Sequence, residues 1–156
     1  MERTNPLYKA RRICQKIAYK VLPQETLARI YSRAILHESI NLKDPKTFNE
    51  KVQWLKIHSF PNDPVVVRCA DKFAVRGYVE EKGLGETLVP SLGAWANPDD
   101  IEWQALPDSF VLKCAHGCAY NVICPDKSKL DERETKWQLC KWLKEDFGVF
   151  NVEPHY

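Results

Sequence analysis

The chain has 156 residues, 44% apolar and 28% charged, with a formal net charge of +2; this is the make-up of a soluble globular protein able to bury about two-thirds of its unfolded surface. So small a net charge does not by itself imply a nucleic-acid partner, and none is expected; no run approaches the ~20 apolar residues of a membrane span. The charge is uneven: residues 1–33 hold eight Lys and Arg against two Glu, hence +6, which leaves −4 for the remainder.

The start, Met1-Glu2-Arg3-Thr4-Asn5-Pro6, lacks the apolar core of a signal peptide, so a cytoplasmic location is expected. The six cysteines are then expected as free thiols. Over 7–22, Leu7, Ile13, Ile17 and Val21 recur at helical spacing among Lys9, Arg11, Arg12, Lys16 and Lys20. Such a basic amphipathic helix either adsorbs to anionic lipid, peripheral to the inner membrane face, or docks on the protein with its basic face in water; the docked reading is favoured.

A second helix is expected from Thr26 to about Glu38, burying Leu27, Ile30, Tyr31, Ala34 and Ile35. Thr47 and Glu50 form a capping box for a helix over 48–57 that buries Phe48, Val52 and Leu55. Asp63-Pro64 opens another, broken near Ala70 and stopped at Gly83. Beyond it, Thr87–Pro90, Ser109–Cys114 and Asn121–Cys124 read as strands, the last two joined by the loop Ala115–Tyr120. Asp131 caps a closing helix that buries Trp137, Cys140, Leu143 and Phe147 and ends at Gly148, and a further strand is expected to begin at Glu153. The expected fold is α+β: a helical region over 1–83, then a unit over 84–156 with a short antiparallel sheet and packed helices.

Lys113 at the end of an apolar strand is a candidate phosphate ligand, because its ammonium needs a partner there. The alternative is a lysine whose stem packs while its head reaches water. Cys114, His116, Cys118 and Cys124 form a C-x-H-x-C-x5-C cluster; it lacks paired zinc knuckles, and three of the four would line one strand face rather than converge on a tetrahedron. No metal site is expected. Cys118 with His116 is a weaker candidate for nucleophilic catalysis, with nothing in the sequence to orient the histidine. Asp71-Lys72 is an unremarkable charge pair taken alone, with Arg76 one turn on from Lys72.

These fragments fall in a known order. Thr47–Lys56, with Phe48-Asn49-Glu50-Lys51 at its centre, then Asp71-Lys72-Phe73-Ala74-Val75-Arg76, Val89–Trp95, Leu106–Cys114, His116-Gly117 and Asp126–Asp131 together resemble the TupA-like ATP-grasp family, collinear over about 40–156. The family takes its name from teichuronopeptide synthesis, and its members are often labelled glycosyltransferases of capsule and surface-polysaccharide synthesis. The resemblance implies an incomplete ATP-grasp subdomain in which Lys72 and Lys113 hold ATP phosphates under a flap formed by His116, Gly117 and the loop to Asn121. It also implies ATP with Mg²⁺, used to phosphorylate a carboxylate for coupling to an amine.

The family pattern in the flap, Asn-His-Gly-Ser-Gly-Gly-Asn, here reads Ala115-His116-Gly117-Cys118-Ala119-Tyr120-Asn121, so two glycines are replaced and Tyr120 is expected to restrict the loop. The family continues beyond Tyr156 with its adenine hinge, acidic metal ligands and acceptor region. The expectation is therefore a nucleotide-binding portion that does not catalyse by itself and is completed by another part or a second chain. The catalytic residues stay unknown. The alternative is a non-catalytic remnant that docks to a membrane surface or a protein partner.

Overall fold

The computed structural model describes residues 6–156; the expectations on the first five residues lie outside this range. The fold is α+β, with a helical N-terminal region and one two-stranded antiparallel sheet among the described residues. By compactness the chain forms two units, one of residues up to Val67 together with Asp146–Tyr156, the other Arg68–Glu145. This cut differs from the division at 83/84 drawn from the sequence.

In the first unit, α1 (Pro6–Val21) is followed by α2 (Gln24–Tyr31), which widens into a π-helical turn over Ser32–Leu36 and stops at His37 in the left-handed region. The wider turn rotates the residues after Tyr31 off the α-helical face. Ile35, in that turn, is exposed; within α2 itself Leu27 and Ala28 are buried and Ile30 is exposed, contrary to the simple helical pattern. Ala28 packs with Ile40 and Leu42, and Ile57 closes over them.

Helix α3 (Phe48–His58) starts from the expected capping box. Glu50 does more than cap: its carboxylate accepts from the backbone amides of Asn41 (2.8 Å), Lys46 (2.9 Å) and Thr47 (2.8 Å). Three amide donors favour the charged form, and they lower the Glu50 pKa to about 2. Phe48, expected in the core, is 80% exposed, because the first helical turn faces water while Glu50 turns inward.

The unit is completed from the far end of the sequence. Helix α7 (Gly148–Asn151) brings Phe150 beneath the Arg12 guanidinium, 3.1 Å from the ring centre, and the Phe150 carbonyl accepts from Gln15 Nε2 at 3.2 Å. Lys56 Nζ pairs with Glu153 (3.1 Å) and donates to the Asn151 carbonyl (3.2 Å). Gly148 opens α7 rather than closing the preceding helix, and a Cβ there would lie 2.4 Å from the Glu153 carbonyl oxygen. No strand begins at Glu153: Val152 is left-handed at φ 53° and the chain turns.

Asp63 Oδ1 caps α4 (Pro64–Ala70), the helix in which the first unit passes into the second, accepting from the amides of Val65 and Val66. Helix α5 (Ala74–Glu81) closes on Gly83 at φ 74°, with the Gly83 and Leu84 amides returning to the carbonyls of Glu80 and Val79. Thr87–Pro90 is not a strand; Gly85–Thr87 makes a 3₁₀ turn and the chain runs on irregularly. Strands β1 (Phe110–Lys113) and β2 (Asn121–Cys124) pair as expected.

Asp131 caps α6 (Glu132–Leu143) through its bond from the Glu134 amide. The face that α6 buries is Thr135, Leu139 and Trp142, spaced by four and three, whereas Trp137 and Leu143 are exposed. Trp137, expected in the core, is 57% exposed. Lys141 covers its ring at 5.2 Å, a surface cation–π contact.

Candidate functional site

The site is the β1–β2 hairpin and its loop, within the second unit. The register sets Phe110 against Cys124, Leu112 against Val122 and Lys113 against Asn121, and the Cys114 amide extends the ladder to the Tyr120 carbonyl at 2.9 Å. Alternation then sorts the side chains. Phe110, Leu112, Cys114, Tyr120 and Cys124 are buried, and Val111, Lys113, Asn121 and Ile123 lie exposed on the other face. Lys113 and Asn121 are thus cross-strand neighbours, beside the apolar pair Val111 and Ile123.

The loop is held from two sides. Between α4 and α5, Asp71 Oδ1 accepts from the amides of Phe73 (2.8 Å) and Ala74 (2.7 Å), which fixes the turn that carries Lys72. The Lys72 amide donates to the Ala115 carbonyl at 3.0 Å, and its ammonium reaches the carbonyls of Gly117 and Ala115. In a trans peptide the carbonyl and the following N–H point apart. The amides of His116 and Cys118 therefore point away from Lys72.

On the other side, His116 Nε2 lies 3.0 Å from the Trp142 carbonyl and 3.1 Å from that of Glu145, so this nitrogen carries the hydrogen. The Tyr120 ring stacks on Trp142, with centroids 5.4 Å apart and planes 15° apart, and its hydroxyl donates to Glu145 Oε2 at 2.5 Å. The loop bends through two left-handed residues, Gly117 at φ 81° and Ala119 at φ 60°. Ala119 keeps the backbone shape that a glycine would supply.

The structure thus brings Lys72 against the loop that carries His116 and Gly117, with Lys113 and Asn121 at its base. Burial raises the Cys114 thiol pKa, opposed by the nearby Lys72 charge, so Cys114 is an inert core residue. No disulfide joins any of the six cysteines, and among the described residues no group of three His, Cys, Asp or Glu is placed to hold a metal ion.

Sequence reasoning missed Trp142 and Glu145, which anchor the loop. Their part is played by backbone carbonyls at the α6 C-terminus and one carboxylate, and no local pattern marks these. Lys127 was equally silent: its amide donates to the Asp108 carbonyl (2.7 Å) and its ammonium to that of Leu106 (2.5 Å), bracing the entry to β1.

A model of the TupA-like ATP-grasp family matches residues 50–156, more than half of the chain and the whole of the hairpin. Comparison with curated proteins and with solved structures gave no match.

Proposed function

We propose, from the premise that this chain belongs to the TupA-like ATP-grasp family, that the β1–β2 hairpin is the phosphate-facing part of an ATP site. On this reading the protein serves bacterial surface-polysaccharide synthesis through ATP-dependent carboxylate–amine ligation or a related transfer. The observation that carries it is the exposed pair Lys113 and Asn121 at the mouth of the loop, with Val111 and Ile123 beside them. An ammonium and a side-chain amide suit phosphate oxygens, and the apolar pair offers a surface for a base.

Lys72 supports the reading through its mobility of partner. Its ammonium rests on neutral carbonyls of the loop, and a phosphate is a stronger acceptor that can draw it away. His116 and Gly117 then act through the loop that they shape, His116 by its anchor on α6 and Gly117 by its left-handed bend. When bound, ATP supplies the phosphoryl group that activates a carboxylate. The described residues offer donors for phosphate and no carboxylate set for Mg²⁺, so no metal step is assigned to them. The ligands for Mg²⁺ and the acceptor site belong, on this reading, to a part outside this chain's hairpin, such as a second chain.

Titration calorimetry of the full chain with Mg²⁺-ATP, beside Lys113→Ala, tests this. The expected result is saturable binding that weakens about tenfold or more in the variant, the loss of one charge-assisted hydrogen bond, with an unchanged melting temperature. No saturation by the native chain, or equal binding by both proteins, would favour the alternative of a non-catalytic binding module. Tyr120 is the observation behind that alternative, since its ring pins to Trp142 a loop that glycines leave free in the family pattern.

A further inference from the structure

Helix α1 faces the wrong way for an ordinary docked helix. Its half-buried side is mostly polar and aromatic, formed by Tyr8, Arg12, Gln15 and Tyr19 with Ala18 at its edge, and it is fastened to α7 by the Arg12–Phe150 and Gln15–Phe150 contacts. Its apolar stripe turns outward instead: Ile13 is 59% exposed, Ile17 58% and Val21 73%. At 100° per residue Ile13, Ile17 and Val21 fall within one narrow sector, with Ala10 among them. Lys9, Lys16 and Lys20 border that sector on one side, all exposed, while on the other side Cys14 and Ala18 separate it from the exposed Arg11, and the helix carries no acidic residue.

We propose that α1 lies flat on an anionic lipid surface, with Ile13, Ile17 and Val21 inserted among the acyl chains and Lys9, Lys16 and Lys20 at the headgroups. A helix of 16 residues with five cations cannot span a bilayer, and no helix of the described residues is long and apolar enough to do so. An apolar stripe rimmed by lysines is the pattern that adsorbs in the interface plane. Charge decides against a second copy as the occupant: two such helices, each with a lysine rim and no acidic residue, would repel face to face, whereas anionic headgroups complement them. The apolar area continues across the groove between α1 and α2, where Cys14, Ala18 and Leu22 face Ile30 and Ile35. The inference is independent of the nucleotide reading, because every residue that it uses lies in the helical unit.

The test is co-sedimentation of the full chain with vesicles of phosphatidylcholine alone and of phosphatidylcholine containing phosphatidylglycerol, at low and high salt. Two exposed-surface variants accompany the native chain, Ile13→Ser with Ile17→Ser, and Lys9→Gln with Lys20→Gln, each checked by circular dichroism. The native chain is expected to prefer the anionic vesicles and to release from them in high salt. The lysine pair should bind about 25-fold more weakly, about fivefold per cation, and the isoleucine pair at least about tenfold more weakly. Equal partition of all three proteins, or loss with the lysine pair alone, would overturn the insertion of the stripe. Failure to bind either vesicle overturns the proposal, and a concentration-dependent dimer abolished by the isoleucine pair would then identify a second copy as the occupant.

Discussion

The Tyr120 hydroxyl donates to the Glu145 carboxylate at 2.5 Å, while the Glu145 backbone carbonyl lies 3.1 Å from His116 Nε2. One residue beyond α6 thus grips both ends of the hairpin loop. Tyr120→Phe removes the hydroxyl and keeps the stacked ring, so it should cost about 1–3 kcal/mol, the range for a hydrogen bond to a charged group together with its lost partner. Tyr120→Gly restores the family residue but deletes the ring over Trp142, and should cost about 3–5 kcal/mol, as large aromatic truncations in cores do. Urea unfolding followed by tryptophan fluorescence measures both. Hydrogen exchange over 115–120 should rise in each variant, in Tyr120→Gly the more.

Ala119 holds φ 60°, where an L-residue with a Cβ is strained by about 1–2 kcal/mol. Ala119→Gly relieves this strain and gives back about 0.4–1 kcal/mol through a freer unfolded chain. The expected net gain is up to about 1.6 kcal/mol in the same urea experiment. Ala119→Val, β-branched at positive φ, should lower stability.

Glu50 sets an acid limit for the helical unit. Its pKa is about 2 in the fold against 4.5 for the ordinary side chain, because three backbone amides donate to the carboxylate. A carboxyl depressed in this way stabilises the fold fully above pH 4.5, and the contribution is lost as pH falls toward 2. Thermal melts of the native chain should therefore fall through that window. Those of Glu50→Gln should begin lower and fall less, so that the two curves converge near pH 2. Parallel curves over the window would show that the three amides do not select the charged form.

Lys56 and Glu153 form an ion pair whose side chains are only 12% and 22% exposed. Lys56→Ala leaves the carboxylate and the Asn151 carbonyl short of a donor in a mostly dry place, and should cost about 1–3 kcal/mol. Lys56→Arg should recover part of this loss. Differential scanning calorimetry distinguishes the two, and an Ala variant as stable as the native chain would mean that water replaces the lysine without loss.

The sequence was legible where the determinants are local. Thr47 with Glu50, Asp63 with Pro64, and Asp131 each mark a helix start by hydrogen bonds within three residues, and β-branched runs flanking a glycine-bearing loop mark β1 and β2. Lys113, His116, Gly117 and Asn121 could be placed on that hairpin for the same reason. What could not be read is tertiary. The capping box at Glu50 is visible in four residues, but not that the same carboxylate also gathers Asn41 and Lys46. The α6 face was misjudged because Trp137 and Leu143 are as apolar as the residues that are buried, and only the partner surface selects Leu139 and Trp142. Nor did the apolar pattern of α1 tell inward from outward, since periodicity gives a helix two faces and no direction.

The helical unit is discontinuous: Phe150 lies under Arg12, Glu153 pairs with Lys56 and His155 packs edge-on against Phe60, while the 78 residues from Arg68 to Glu145 form a unit from one unbroken stretch. Synthesis from the N-terminus therefore delivers the hairpin unit whole before the helical unit has received Asp146–Tyr156. Domains generally fold as units as the chain emerges. The order of birth is thus the reverse of the order in sequence: the inserted hairpin unit can mature first, while α1 and α3 wait, with their contacts to Phe150 and Glu153 unmade, until Asp146–Tyr156 have followed it out of the ribosome.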